Sequence, residues 1–273
     1  MNKLKILKMK DTTDSNVTKK KNIFDLPMRL LIISKSGDGK SSYLGNLLLR
    51  KEFYRDDFLP ENIFIFTGSK HGDKKLKTII DELDIEDSNV VDGYDEDYLE
   101  MVYEMLVENY NEKIEDKVKD KKQLNSLIIF DDLSFNNSFK DKGKNDMIRK
   151  LFMNGRKYSI SVVVISQKYS SVSTSIRENA TGLIIGKSSN KQVELIEADH
   201  NYLKSGKKDF IKMFRDATDE PYSKLIINFS NHPDIYQNQD FKPLSLDWSF
   251  LINDNSFWVL DGTLMLTHSK SSI

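Results

Sequence analysis

The sequence predicts an α/β fold in which a mostly parallel central sheet is flanked by helices. Six short apolar runs, five of them rich in Ile or Val, are too short for helices and indicate buried strands. They occupy residues 28–34, 62–67, 126–130, 160–166, 182–186 and 224–229. Longer polar or amphipathic stretches separate these runs, and strands that alternate with helices typically form a parallel sheet covered on both faces.

Helical periodicity supports this alternation. Residues 95–113 place Tyr98, Val102 and Leu106 at helical spacing, and residues 146–153 show the same pattern. A third helix-like segment covers residues 42–50. No internal repeat is visible, so the expectation is a single large domain with appendages.

The composition narrows the class of protein. The 273 residues are 38% hydrophobic and 30% charged, with a formal net charge of −1, which argues against a wholly basic nucleic-acid binder but not against a local basic patch. The chain has no Cys, which excludes disulfides and cysteine-based zinc sites. No run approaches the ~20 apolar residues of a membrane helix, so we expect a soluble, intracellular protein with no membrane partner.

Three segments are expected along the chain. Residues 1–22 resemble a flexible basic N-terminal arm, with Lys at positions 3, 5, 8, 10, 19, 20 and 21. Residues 23–231 carry the alternating strands and helices, and residues 232–273 form a C-terminal appendage of unknown role. The arm could bind DNA or a capsid, although basic tails are common.

A glycine-containing loop between the first strand and the first helix predicts a nucleotide site. Backbone N–H groups of such a loop point at the phosphates, the Lys reaches the β and γ oxygens, and the next hydroxyl ligates Mg²⁺. The predicted nucleotide-binding residues are Ser34, Lys35, Ser36, Gly37, Asp38, Gly39, Lys40, Ser41 and Ser42. The full signature has Gly where this chain has Ser34. The loop thus predicts a P-loop NTPase that uses ATP and Mg²⁺.

Two carboxylates follow the third predicted strand. Asp131 and Asp132 end the apolar run 127–130, and ligands of open parallel sheets bind at the carboxyl ends of the strands. We therefore expect Asp131 to hold the metal with Ser41, and Asp132 to act on the attacking water. ATPases of this kind more often have Glu at the second position, so Asp132 has a shorter reach.

Three further residues are candidates for catalysis. Gln167 ends the strand predicted at 160–166, where it could hydrogen-bond the γ-phosphate or the attacking water. Arg156 and Arg177 precede the fourth and fifth strands. Phosphoryl transfer gains from a cation on the developing charge, often supplied by a neighbouring subunit, and each Arg is a candidate for that role.

The order of these pieces resembles the genome-packaging ATPases of large DNA viruses, the poxvirus-type branch of the FtsK-HerA superfamily. The resemblance covers roughly residues 23–230. It depends most on residues 155–167, where Gly-Arg-Lys-Tyr-Ser leads into an Ile-Ser-hydrophobic run that ends in Ser166-Gln167. The segment 176–179, Ile-Arg-Glu-Asn, also matches. The departures are Ser34 and Asp132.

The resemblance implies a RecA/FtsK-HerA-like fold and a homo-oligomeric ring with its nucleotide sites at the subunit boundaries. Such a ring would hydrolyse ATP to translocate double-stranded viral DNA, held through its phosphates, into a preformed capsid with capsid or portal partners. Lys140, Lys142 and Lys144 are candidates for DNA contact. The implied location is the host-cell cytoplasm or viral factory, with association to the virion.

Other functions remain open from the sequence alone. One is a P-loop kinase acting on a nucleotide or small molecule, although no Arg-rich lid is evident. A second is a non-hydrolysing nucleotide-binding assembly module, which Ser34 and Asp132 leave open. A third is a DNA translocase of a plasmid or transposon, which shares the motor but not the packaging role.

Overall fold

The central element of the fold is an eight-stranded sheet. The computed structural model describes residues 17–70, 72–133 and 146–244, and two short strands nearer the C-terminus. The sheet order is β3-β2-β4-β5-β1-β6-β7-β8. Its strands are β1 (Arg29–Ile33), β2 (Ile63–Thr67), β3 (Val90–Asp92), β4 (Ser126–Asp131), β5 (Ile160–Ser166), β6 (Gly182–Ile185), β7 (Leu225–Asn228) and β8 (Tyr236–Gln237).

Eight α-helices connect these strands within the described residues. They are α1 (Lys40–Leu49), α2 (Lys74–Glu82), α3 (Glu96–Glu115), α4 (Lys121–Leu124), α5 (Asp146–Asn154), α6 (Thr174–Asn179), α7 (Asn190–His200) and α8 (Lys207–Ala217). The helices predicted at 42–50, 95–113 and 146–153 correspond to α1, α3 and α5. All six predicted strands are also present, so the predicted fold class is confirmed.

Strand direction decides which residues share an edge of the sheet. The strands from β3 through β6 pair in parallel, whereas β7 runs antiparallel to β6 and β8 antiparallel to β7. The carboxyl ends of β1, β4, β5 and β6 therefore lie on one edge. The start of β7 joins that edge, because Leu225 pairs with Ile185 at the end of β6.

The central strands are apolar because both of their faces are covered. On β1, Leu30 and Ile32 lie in a core cluster with Leu44, Leu47 and Leu48 of α1. Full burial of one such side chain contributes about 1.5–3 kcal/mol, so β1 and α1 are held firmly against each other. That packing fixes the segment between them, residues 34–39, at the carboxyl edge.

The compact unit extends beyond the expected domain boundaries. It runs to Pro243, because residues beyond 231 add β8, which pairs with β7. The domain boundary predicted at 231 stays a prediction, and the compact unit continues beyond it. At the other end, Thr18 and Leu26 exchange backbone hydrogen bonds, and Lys20 pairs with Asp57, so residues 17–22 lie on the domain. The strands β3 and β8 were not predicted, since runs of three and two residues carry little pattern.

A second unit covers Leu244–Ile273, and its described part is the antiparallel pair β9 (Val259–Leu260) and β10 (Thr263–Leu264). Among the helices of the described segments, none has both the length and the apolar character needed to cross a bilayer.

Candidate nucleotide site

The predicted phosphate loop joins β1 to α1 at the carboxyl edge of the sheet. Gly37 and Gly39 have φ angles of 78° and 80°, in the left-handed region that favours glycine. A Cβ on Gly37 would meet no atom of the described residues within 4 Å, so this part of the loop borders open space. Gly39 caps α1, whose own first turn carries no acidic residue, so the helix start presents positive partial charge to the loop.

Lys40 is the first residue of α1, and its Nζ donates to the Lys35 carbonyl oxygen at 3.1 Å. Burial lowers the pKa of Lys40 below its usual value. The nearby carboxylates of Asp132 and Asp131 oppose that shift. The ammonium group therefore lies between the loop and these two acids. From there it would attract a phosphate bound in the loop.

Ser41 contacts an acid that the sequence did not single out. Its Oγ donates to Asp73 Oδ2 at 2.8 Å. Asp73 follows β2 and caps α2, since its other oxygen accepts from the backbone N–H groups of Lys75 and Leu76. The position of Asp73, shortly after a predicted strand, is typical of a helix cap. The approach of Asp73 to Ser41, however, depends on the tertiary fold.

Asp131 ends β4 and is 5% exposed. Burial raises the pKa of this carboxyl to about 6, and the like charges of Asp73 and Asp132 add to the shift. Lys40 and a hydrogen bond from Thr67 act in the opposite direction. Asp73 and Asp132 thus lie near enough to Asp131 to repel its carboxylate, and a cation bound there would relieve the repulsion.

Asp132 and Gln167 are in direct contact. The Gln167 Nε2 lies 3.1 Å from both carboxylate oxygens of Asp132, to which it donates. Asp132 has a φ of 50°, a left-handed conformation that non-glycine residues rarely adopt and that Asp tolerates better than most. The structure holds the Gln167 amide against Asp132, and the contact predicted between Gln167 and the γ-phosphate or the attacking water stays a prediction.

The opposite side of the loop is held by a buried lysine that sequence reasoning missed. Lys224, immediately before β7, is 1% exposed. Its Nζ contacts the Asp38 carbonyl oxygen at 2.8 Å and Asp38 Oδ2 at 3.2 Å. The Ser34 hydroxyl donates to the same Asp38 oxygen. Gly186, at the end of β6, leaves room for this group, because a Cβ there would collide with Ser34 Oγ and Asp38 Oδ2.

The two candidate arginines lie away from the phosphate loop of their own chain. Arg177 is 8% exposed, its Nη1 pairs with Asp199, and its guanidinium lies 4.8 Å from the ring centre of Tyr169. A guanidinium held in this way does not project from the subunit. These contacts favour a structural role for Arg177, and its expected role as a trans-acting cation stays a prediction.

Arg156 is exposed and precedes β5, at the edge of the sheet opposite the phosphate loop. A seven-residue strand spans roughly 20 Å, so Arg156 cannot reach the site of its own chain. It lines a surface pocket with Arg29, whose pKa is lowered by burial and by Arg156. Its role as a trans-acting cation stays a prediction. Lys140, Lys142 and Lys144 fall outside the described residues.

The donor set fits a magnesium ion held together with phosphate. Among the described residues, no three Asp, Glu, His or Cys side chains cluster closely enough to form a protein-only metal cage. Magnesium at nucleotide sites needs only one or two protein ligands, since waters and phosphate oxygens complete its shell. The hydroxyl of Ser41 and the buried carboxylate of Asp131 would supply those ligands.

Comparison with known proteins assigns the family. The sequence profile of the family described as Poxvirus A32 protein matches residues 16–239. The chain belongs to this family. The match confirms the resemblance drawn from the phosphate loop, the acidic strand and residues 155–167. No curated protein sequence matches the chain.

Solved structures support the fold of this A32 family member. The DNA-packaging ATPase B204 from Sulfolobus turreted icosahedral virus aligns with a TM-score of 0.50 and 15% identity, over 79% of this chain and 97% of that one. ATPases 2 and 3 of EssC from Geobacillus thermodenitrificans align with a TM-score of 0.51 and 14% identity, over 73% of this chain and 37% of that one. At this identity both likenesses concern the fold.

Proposed function

We propose that this protein is an ATP-driven motor that packages double-stranded viral DNA into a preformed capsid. The observation that carries the proposal is the contact of Gln167 with Asp132, beside Lys40 and Ser41, at one edge of the sheet. A site that only bound nucleotide would need the phosphate loop but not an oriented acid at the hydrolysis end.

Each residue then has a role in hydrolysis. Lys40 would bind the β and γ oxygens of ATP, and Ser41 and Asp131 would hold Mg²⁺, which would neutralise charge on the phosphates. Asp132 accepts the proton of the attacking water, and Gln167 keeps its carboxylate in place. Arg156 would act on the site of a neighbouring subunit in a ring, because it lies too far from its own.

Family membership supports packaging over the other DNA-translocation roles. The family is one of poxvirus proteins, and B204 is itself described as a DNA-packaging ATPase. We therefore favour a viral motor over a plasmid or transposon translocase.

DNA would be held through its phosphates, without sequence preference, since a motor must ignore sequence. Capsid or portal components would be its partners, and it would act in the host-cell cytoplasm or viral factory and associate with the virion.

ATP hydrolysis with and without double-stranded DNA tests this proposal. We expect DNA to stimulate the wild-type protein, Lys40→Ala to lose ATP binding, and Asp132→Asn to keep binding while turnover falls by about 10²–10⁴-fold. Asp84→Asn is a matched control, because Asp84 is an exposed Asp with a φ of 54°, similar to that of Asp132. Lys208→Ala, at an exposed site on α8, controls for Lys40→Ala.

Three outcomes would contradict the proposal. Unchanged turnover in Asp132→Asn would remove the hydrolytic role of the acid. Phosphate transfer to a nucleoside or small-molecule acceptor would indicate a kinase. Tight ATP binding with no hydrolysis, with or without DNA, would indicate an assembly module.

A further inference from the structure

Tyr222 is an exposed aromatic residue beside the phosphate loop. Its side chain is 64% exposed, although the residue lies in the turn directly before the buried Lys224. A Cβ built on Gly39 would lie 3.3 Å from Tyr222 Cδ1, so the ring borders the start of α1. An aromatic ring in this place is available to a ligand that the loop binds.

The order of the strands gives the direction in which a bound nucleotide must lie. The acids that act on the γ-phosphate follow β4, and their partner Gln167 follows β5, on one side of β1. The strands β6 and β7 lie on the other side of β1. In the proposed function the γ-phosphate points toward Asp132, so the ribose and base would leave the loop on the side away from the acids, which is the side of Tyr222.

Lys224 fixes the distance between this turn and the loop. Its Nζ donates to the Tyr222 carbonyl oxygen at 3.0 Å and to the Asp38 carbonyl oxygen at 2.8 Å. The backbone of Tyr222 is therefore held beside the loop before any ligand binds. Tyr222 also has a φ of 66°, an unfavourable conformation for a bulky residue of the kind that concentrates at ligand sites.

We propose that Tyr222 forms the base subsite of the nucleotide site, by stacking its ring on the base of the bound nucleotide. The inference rests on the proposed function in that a nucleotide must occupy the phosphate loop. Stacking alone tolerates any base, and a purine presents the larger face, so the subsite takes purine nucleotides in preference to pyrimidine nucleotides.

Binding of Mg-ATP and of inorganic tripolyphosphate, measured by calorimetry, tests the subsite. We expect Tyr222→Ala to weaken ATP binding by about 5- to 100-fold and to leave tripolyphosphate binding unchanged, since only ATP has a base to stack. Tyr222→Phe should bind ATP as the wild type does. Tyr202→Ala is the matched control, because Tyr202 is 62% exposed and packs beside Phe229.

The outcomes separate this inference from the proposed function. Unchanged ATP binding in Tyr222→Ala would overturn the subsite, and so would an equal loss for both ligands, which would mean that the ring only supports the loop. Tripolyphosphate binding that is lost in Lys40→Ala but kept in Tyr222→Ala would show that the phosphate site is intact. A wild-type protein that binds neither ligand would overturn the proposed function itself.

Discussion

The two sides of the phosphate loop differ in how their charges are compensated. On the β4–β5 side, Asp73, Asp131 and Asp132 repel one another, and the pKa of Asp131 is raised. On the β6–β7 side, the single cation of Lys224 lies among four oxygens, from Asp38, Tyr222 and Ser223. A bound cation would compensate the acids of the first side, whereas the charges of the second are compensated within the chain. We infer that the second side sets the shape of the loop and the first supplies its chemistry.

Removing the buried lysine should have the largest effect. Lys224→Met keeps most of the unbranched side chain but leaves the Asp38 carboxylate and three carbonyl oxygens without their common donor. Breaking a buried pair by removing one partner costs about 3–5 kcal/mol. Because Asp38 is partly exposed, we expect the free energy of unfolding, measured by urea denaturation, to fall by about 3 kcal/mol, and ATP binding to weaken with it.

A double-mutant cycle sharpens that test. Asp38→Asn removes the charge that Lys224 neutralises, so the combined loss in Lys224→Met with Asp38→Asn should be smaller than the sum of the two single losses. Lys208→Met, at an exposed site, should change stability by less than about 0.5 kcal/mol. If Lys224→Met is as mild as that control, Lys224 does not hold the loop.

On the acidic side, removing a charge should stabilise the protein. The pKa of Asp131 in the folded state is about 6, above the value of about 3.9 for an unfolded chain. The stability that protonated Asp131 contributes is thus complete below about pH 4 and is lost as the pH rises through about 6. Asp131→Asn stays neutral, so its free energy of unfolding should exceed that of the wild type by about 3 kcal/mol at pH 7.5.

The pH dependence distinguishes the loss of like-charge repulsion at Asp131 from a change in stability with another cause. The difference between Asp131→Asn and the wild type should shrink between pH 6 and pH 4, whereas Asp216→Asn, at an exposed site on α8, should show no such trend. Saturating Mg-ATP should stabilise the wild type more than Asp131→Asn, because the carboxylate is the proposed metal ligand. A difference that stays constant with pH would mean that like-charge repulsion does not govern this side of the loop.

The same two sides differ in how far the sequence could predict them. Asp131 and Gln167 each end an apolar run, and the rule that parallel strands present their carboxyl ends at one edge brings them together. Lys224 lies 186 residues from Asp38 and begins a strand. It reaches the site only because β7 runs antiparallel, which no local pattern reveals. Asp73 and the Arg177–Asp199 pair likewise depend on tertiary contacts between separate elements.

Ser34 belongs to the β6–β7 side, which explains its departure from the glycine signature. It lies outside the left-handed region that Gly37 and Gly39 occupy, so its position does not require glycine. The residue is 1% exposed, and its hydroxyl donates to the carboxylate that Lys224 also contacts. Ser34 therefore contributes to the network that holds the loop.

Restoring the signature with Ser34→Gly should have the smallest effect. The loss of one hydrogen bond and the added freedom of the unfolded chain should lower the free energy of unfolding by about 1–2 kcal/mol, with turnover at saturating ATP unchanged. Ser34→Ala separates the two causes, because it removes the hydroxyl without freeing the backbone. A tenfold rise in turnover for Ser34→Gly, equal to about 1.4 kcal/mol in the barrier, would mean that Ser34 limits hydrolysis and that the two sides are not independent.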